Sequence, residues 1–263
     1  MLERFRTAQR PRISRLEAMR DAKAMPPPLA GERPAFSARL KRGEPIALIA
    51  EYKRASPSRG SINLAASPED IAAAYAAAGA SAISVLTEEE YFQGHPSYIG
   101  RMAGPGLPLL RKDFLIHPLQ VLETAATPAS ALLLIARMLD EGTFIRMLEM
   151  AAGAGLETVL EIFDEEDLQK VRRVLAVAPA APVIIQVNNR DLRTLRVSDA
   201  PSRALIPRKK AGEIWISASG INTGEQVLER AALGFDAVLV GSSLMECGDP
   251  GAALAGLCGR GAA

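Results

Sequence analysis

The stretch Pro45-Ile-Ala-Leu-Ile-Ala-Glu-Tyr-Lys53 decides the fold. A nearly continuous apolar run is typical of a parallel strand that is covered on both faces of its sheet. The run ends in an acid and a base at alternate positions, Glu51 and Lys53, so both side chains share one face while Tyr52 takes the other. Because a parallel strand needs neighbours of the same kind, we expect further apolar runs along the chain.

Eight such runs occur, and successive runs begin roughly 23 to 36 residues apart. Each is nearly continuous in apolar residues rather than alternating, as expected of buried strands. The predicted strands are Ile46–Ala50, Ala82–Leu86, Leu107–Leu110, Ala131–Ile135, Thr158–Ile162, Val183–Val187, Ile214–Ser217 and Ala237–Val240.

Helical patterns alternate with these strands. The predicted helices are Pro68–Ala78, Glu141–Ala154, Asp164–Leu175 and Thr223–Leu233. Ser67, Asp164 and Thr223 stand where N-caps belong, and Gly79, Gly155 and Gly234 stand just past helix ends, where a left-handed residue closes a helix. Eight β-α units of this period predict an α/β fold of the (β/α)8 TIM-barrel class. A doubly wound open sheet is the alternative, but no G-x-G-x-x-G follows the first strand.

Length and composition agree with one barrel. The chain has 263 residues, of which 48% are hydrophobic, and a single α/β barrel has about 250 residues. We therefore predict one domain over residues 1–263. Residues 1–45 contain a basic, weakly helical segment and a proline-rich loop. They are too short for a core of their own, so we interpret them as an N-terminal helical extension packed on the barrel.

Charge and cysteine content narrow the function classes. The net charge is +1, and no basic block or basic-aromatic pattern is present, which argues against a nucleic-acid partner. No apolar run reaches membrane-spanning length, and the amino terminus lacks a secretory pattern. Cys247 and Cys258 match no metal spacing and are interpreted as reduced thiols. We expect a cytoplasmic protein, monomeric or weakly homo-oligomeric, with no membrane partner.

Polar residues follow most of the predicted strands. In a barrel of this class the active site lies at the carboxyl ends of the strands, so these side chains converge on one mouth. Two lysines and two carboxylates in one cavity alter one another's proton affinity, which is what acid-base catalysis requires. The charged and amide candidates are Glu51, Lys53, Lys112, Glu161, Asn188 and Arg190.

The last two strands end in small residues, Ser219-Gly220 and Gly241-Ser242. Barrels frequently bind phosphate at this position through backbone N–H groups and a short helix N-terminus. Two glycine-serine pairs at adjacent strand ends favour a phosphate site over turns that are merely tight.

The strand-end motifs resemble those of the indole-3-glycerol phosphate synthase family, a TIM-barrel family of tryptophan biosynthesis. The resemblance runs from about residue 13 to 250. The matching blocks are Leu48-Ile-Ala-Glu-Tyr-Lys-Arg-Ala-Ser-Pro-Ser58, Ile83-Ser-Val-Leu-Thr-Glu88, Phe92-Gln-Gly94, Pro108-Leu-Leu-Arg-Lys-Asp-Phe114, Leu132-Leu-Leu-Ile135, Leu160-Glu-Ile162, Val187-Asn-Asn-Arg-Asp-Leu192, Ser219-Gly-Ile221 and Leu239-Val-Gly-Ser-Ser-Leu-Met245.

The resemblance implies a reaction and a role for each candidate. The substrate would be 1-(2-carboxyphenylamino)-1-deoxyribulose 5-phosphate, converted by ring closure, decarboxylation and dehydration with no metal or organic cofactor. Lys112 would be the general acid and Glu161 the acid-base partner in dehydration. Lys53 would assist proton transfer. Glu51 would orient and tune the two lysines, and Asn188 would hold a substrate hydroxyl. The implied contacts with phosphate, ring and chain are Ser56, Pro57, Phe92, Phe114, Leu133, Arg190, Leu192, Ser219, Gly220, Gly241 and Ser242.

Two positions depart from the family pattern. Ala218 stands where the family's Ser-Glu-Ser-Gly pattern has a glutamate, and Gln186 stands where glycine is usual. Three hypotheses follow: a synthase, a divergent paralogue acting on another aryl-amino or sugar phosphate, and a weakly active or non-catalytic module that binds a phosphate ligand. The costly buried charges argue against the last.

Overall fold

The computed structural model describes residues 2–41, 45–192 and 194–259 and contains a closed barrel of eight parallel strands. Each strand pairs with its sequence neighbours, and β1 also pairs with β8, which closes the barrel. The strands are β1 Ala47–Tyr52, β2 Ala82–Leu86, β3 Leu109–Lys112, β4 Ala131–Ile135, β5 Glu157–Ile162, β6 Ile184–Asn188, β7 Ile214–Ala218 and β8 Ala237–Val240. The predicted TIM-barrel class is confirmed.

Helices surround the barrel and follow its strands. They are α1 Leu2–Asp21, α2 Phe36–Leu40, α3 Pro68–Ala77, α4 Ser97–Arg101, α5 Pro118–Ala125, α6 Glu141–Gly153, α7 Glu165–Val177, α8 Ala200–Leu205, α9 Gly224–Leu233, α10 Ser242–Met245 and α11 Pro250–Leu257. The remaining elements are two short 3-10 turns, Ala136–Met138 and Ile206–Arg208, and a small hairpin. The hairpin has two strands of two residues each, Ala55–Ser56 and Gly60–Ser61.

The predicted helix signals are confirmed where the sequence placed them. The side chains of Ser67, Asp164 and Thr223 each accept a backbone N–H of the following first turn. Gly79, Gly155 and Gly234 have positive φ, as a helix-ending residue in the left-handed region requires.

Small residues begin four of the strands at the base of the barrel. Ala47, Ala82, Ala131 and Ala237 are fully buried and leave room for the aromatic ring of Phe36 and the side chain of Leu40. Helix α2 therefore fills the amino-terminal end of the barrel, and its backbone is fixed there by the N–H of Ser37, which donates to Glu157 Oε2 at 2.9 Å.

Helix α1 lies at the opposite end, beside the mouth. The ring of Phe5 stacks on that of Phe114, with centroids 4.0 Å apart. Gln9 Nε2 donates to Asp113 Oδ1 at 3.1 Å, and Arg12 pairs with Glu123 at 2.8 Å. The amino-terminal helix is thus tied to the loop that follows the strand of Lys112.

The outer faces of the strands form a second apolar layer with the helices. Tyr52 lies there, as the alternation on β1 predicted, and its hydroxyl donates to Ala66 O at 2.9 Å. Within the described ranges, no helix has both the length and the apolar character that crossing a membrane requires.

Helix α2, the plug at the base of the barrel, should contribute to the stability of the fold. Leu40 is 1% exposed and Leu228 is 56% exposed. We expect Leu40→Ala to lower the free energy of unfolding by about 2–5 kcal/mol, because it leaves a cavity between α2 and the strands. The matched control Leu228→Ala should change it by less than about 0.5 kcal/mol. Urea unfolding followed by circular dichroism measures both, and equal losses would contradict the plug.

Candidate active site

The carboxyl ends of the strands enclose a cavity of about 410 Å³. Most of the residues that the sequence assigned to the site line its wall. They are Glu51, Lys53, Phe92, Lys112, Phe114, Glu161, Asn188, Arg190, Leu192, Ser219, Gly220, Gly241 and Ser242. Seven of the eight strand ends therefore contribute to one cavity, the end of β4 being the exception among the predicted residues.

Glu51 and Lys53 form the first ion pair of the mouth. The Lys53 Nζ to Glu51 Oε1 distance is 2.8 Å, and the Glu51 side chain is 5% exposed. Ser84 Oγ donates to the other carboxylate oxygen at 3.4 Å. Burial opposes ionisation of Glu51, but the charges of Lys53 and Lys112 outweigh it and hold the pKa of Glu51 below its ordinary value.

Lys112 and Glu161 form a second, looser pair. Lys112 Nζ lies 3.8 Å from Glu161 Oε2, and the Glu161 side chain is 1% exposed. The same oxygen accepts a hydrogen bond from Nε2 of the buried Gln186. This contact places the side chain of Gln186 inside the barrel.

Asn188 and Arg190 form the edge of the mouth after β6. Asn188 Oδ1 accepts from Ser219 Oγ and from the backbone N–H of Arg190, both at 3.0 Å. Arg190 Nη1 donates to Leu195 O at 3.1 Å. Burial lowers the pKa of the Arg190 guanidinium, against the opposing attraction of Glu51.

Backbone strain marks the predicted phosphate turns. Ser219 has φ 69° and Gly220 has φ 80°, so both lie in the left-handed region. A Cβ on Gly220 would lie 2.5 Å from Cγ1 of Val197, and one on Gly241 would lie 2.5 Å from Glu51 Oε1. Glycine at these two positions allows the backbone to approach the cavity and leaves room for the Glu51 carboxylate.

The opposite wall is apolar and aromatic. Phe92 and Phe114 have centroids 6.0 Å apart, and Leu192 joins the same cluster. The loop that carries Phe92 is folded around Glu88, whose carboxylate accepts the backbone N–H groups of three residues, including Phe92 at 2.9 Å. Phe92, Phe114 and Leu192 therefore give the cavity one apolar side.

Three predicted contacts do not line the cavity. Ser56 is buried in the small hairpin, Pro57 is exposed, and Leu133 is fully buried in the barrel interior. Other lining residues were missed by sequence reasoning, and most of them lie within two residues of a predicted one along the chain. They are Ser58, Arg59, Leu86, Val197, Ile221, Asn222, Leu239, Val240 and Ser243. Proximity to the quoted motifs was the available signal; Val197 had none, because it reaches the mouth from a loop.

Chemistry, rather than size, identifies this cavity as the site. A groove of about 1020 Å³ beside α7 and a cavity of about 560 Å³ near α9 are larger. The groove's Arg137 is paired with Asp164 and Asp167, and the second cavity has a mainly apolar lining. Within residues 2–41, 45–192 and 194–259, no group of three His, Cys, Asp or Glu side chains could hold a metal ion.

Comparison with known families gives one consistent match. The model of the indole-3-glycerol phosphate synthase family matches residues 4–257. The enzyme of that name from Roseiflexus castenholzii is 41% identical over 249 residues, covering 91% of this chain and 88% of that protein. The one from Shouchella clausii is 36% identical over 251 residues, covering 95% and 94%.

Solved structures show a likeness in fold alone. The 3-hexulose-6-phosphate synthase of Salmonella typhimurium superposes with a TM-score of 0.63 at 16% identity, covering 82% of this chain and 98% of that one. A mutant tryptophan synthase alpha-subunit of Pyrococcus furiosus gives 0.58 at 14% identity, covering 81% and 98%.

The lowered pKa of Glu51 predicts a pH-dependent contribution to stability. Because the folded pKa lies below the ordinary value of 4.5, the contribution is present above about pH 4.5 and is lost as the pH falls through the folded value. We expect Glu51→Gln to lower the free energy of unfolding by about 1 to 3 kcal/mol at pH 7, with the difference shrinking at more acidic pH. Urea unfolding across this range measures it, with the exposed Glu32→Gln as control. A difference that does not vary with pH would contradict the ion pair.

Proposed function

The chain belongs to the indole-3-glycerol phosphate synthase family, and on that premise we propose that it converts 1-(2-carboxyphenylamino)-1-deoxyribulose 5-phosphate into indole-3-glycerol phosphate. The observation that carries the proposal is the convergence of two lysine-carboxylate pairs between an aromatic wall and a phosphate-type turn. It acts as a carbon-carbon lyase and binds a small phosphorylated substrate.

The reaction has three steps: ring closure, loss of carbon dioxide and loss of water. The ring carbon that bears the carboxylate attacks the ketone carbon, and the ketone oxygen takes a proton and becomes a hydroxyl. Carbon dioxide then leaves, and its bonding electrons return to the ring. Finally the hydroxyl leaves as water after it is protonated, and a proton departs from the ring being closed. Each proton needs a donor or acceptor within reach of the bound substrate.

Lys112 is the proposed general acid for the first step. Its ammonium lies 3.8 Å from the nearest oxygen of Glu161, beyond the range of a strong hydrogen bond, so its protons remain available to a substrate oxygen. Lys53 is instead held at 2.8 Å by Glu51 and at 3.3 Å by Ser242 Oγ. A lysine fixed in this way suits a static role, attracting the substrate carboxylate and supporting the proton transfer.

Glu161 is the proposed acceptor for the last step. It is almost fully buried and faces Lys112, so a proton that it takes from the closing ring can return to the lysine for the next cycle. Glu51 pairs with Lys53 and offsets part of the positive charge that the two lysines bring to the cavity. Asn188, whose oxygen is already occupied by two donors, offers its amide to a substrate hydroxyl.

Binding at the two ends of the substrate orients its flexible middle. The turns of Ser219-Gly220 and Gly241-Ser242 hold the phosphate, with Arg190 in the same cavity wall. Phe92, Phe114 and Leu192 hold the aromatic ring. Holding both ends brings the ring carbon against the ketone, which can supply a large share of the rate enhancement.

Removing the general acid should abolish turnover. We expect Lys112→Met to reduce kcat by about 10²- to 10⁴-fold with a much smaller change in KM, since phosphate and ring contacts remain. The exposed Lys210→Met is the matched control and should behave as wild type. Indole fluorescence measures product formation. If the wild type forms no more product than Lys112→Met, the proposed function fails.

Ala218 motivates the alternative of a divergent paralogue. It is buried on β7 opposite Asn188 and offers a methyl group where a carboxylate would add charge to the cavity. We expect the wild type to be active and Ala218→Glu to alter kcat by less than about tenfold, because both proton-transfer pairs are complete without it. Side-by-side assays measure this. An inactive wild type that Ala218→Glu activates would favour the paralogue.

A further inference from the structure

We propose that Gln186 is a positioning residue for Glu161, whose carboxylate it holds in place and aims at Lys112. The proposal rests on the proposed function, in which Glu161 accepts a proton. Gln186 itself does not line the cavity, so it acts on the reaction only through the carboxylate.

The strand register places the two side chains together. Gln186 on β6 lies directly opposite Glu161 on β5. It lies two residues from the inward-facing Asn188, so its side chain points into the barrel. Nε2 of Gln186 donates to Oε2 of Glu161, the same oxygen that Lys112 approaches to 3.8 Å.

The chemistry of the pair fixes the direction of the hydrogen bond. The amide nitrogen, rather than the amide oxygen, faces Glu161, and an N–H group can donate to a carboxylate oxygen. In the part of the chain that the structure describes, Oε1 of Gln186 has no hydrogen-bond partner. A buried amide oxygen without a partner is unfavourable. The favourable polar contact of this side chain is therefore the hydrogen bond that its nitrogen donates to Glu161.

In this chain Gln186 supplies Glu161 with a hydrogen-bond donor at a position where the family pattern has glycine. Its side chain is 1% exposed, and across the described ranges its polar partners are Gln186 and the distant ammonium of Lys112. A buried carboxylate without a donor favours its neutral form. The neutral form cannot take a proton from the closing ring, so the amide keeps Glu161 ready for the dehydration step.

The hydrogen bond also fixes geometry. Without it, the Glu161 carboxylate could rotate to follow Lys112 alone, and the two groups would form a tighter pair. A tighter pair would withdraw the lysine protons from the substrate. Gln186 therefore acts on both members of the pair while leaving the phosphate and ring contacts untouched.

The test replaces the amide with a side chain of similar size that lacks the donor. We expect Gln186→Met to reduce kcat by about tenfold or more with KM within about twofold, and to move the acid limb of the pH-rate profile to higher pH. Ile216→Met is the matched control: Ile216 is buried opposite Gln186 on β7, so this change alters packing at the same level without removing a hydrogen bond. It should leave the acid limb in place.

Two further measurements keep the outcome clear. Gln186→Asn retains an amide but is one methylene too short, so it should show the same loss and serves if the Met variant does not fold. Infrared titration of the Glu161 carboxyl, assigned with Glu161→Gln, needs no substrate and should show protonation at higher pH in Gln186→Met. Unchanged kcat and an unchanged infrared titration overturn the proposal. An inactive wild type overturns the proposed function instead, and the infrared result still decides the role of Gln186.

Discussion

The structure of the mouth depends on compensating two nearly buried carboxyl groups with cations and hydrogen-bond donors. Glu51 and Glu161 each lie inside a barrel whose remaining interior is largely apolar. Moving a carboxylate out of water is unfavourable by several kcal/mol unless a cation or donor compensates. Glu51 is compensated by Lys53 and Ser84, and Gly241 leaves space for its carboxylate. Glu161 is compensated by Lys112 and Gln186. The two pairs differ in tightness: the charged atoms are 2.8 Å apart in the first and 3.8 Å apart in the second.

Support for Lys112 extends to the outside of the barrel. Its neighbour Arg111 points outward, is fully buried, and pairs with Asp113 at 3.3 Å and Glu123 at 3.0 Å. Arg12 and Gln9 of α1 join the same carboxylates. Since alternate residues of one short strand face opposite ways, an outer network that fixes Arg111 also fixes the direction of Lys112. The amino-terminal helix thus stabilises the site from outside while Phe5 covers the ring-binding side through Phe114.

The sequence predicts features that depend on neighbouring residues better than features that depend on residues far apart along the chain. Strands such as Ala82–Leu86 and caps such as Thr223 depend on local patterns, and the prediction matched them. The beginning of β3 was placed at Leu107 rather than Leu109 because Pro108 reads as apolar but cannot donate to the ladder. The Gln186–Glu161 contact depends on strand register, and the contact of Phe5 with Phe114 depends on how helix α1 docks on the barrel. No local sequence pattern encodes either. Val197 likewise reaches the mouth through a loop.

Several locally unfavourable features lie where the chemistry is proposed. The left-handed backbone of Ser219, the unpartnered oxygen of Gln186 and the buried carboxylates all lie at the mouth. The base is filled mainly by apolar side chains, among them the alanines that begin four strands, Phe36 and Leu40. A fold can retain strained and polar features when the surrounding structure over-determines them. Because the strands run continuously from base to mouth, apolar packing at one end fixes their register, and that register holds Gln186 opposite Glu161.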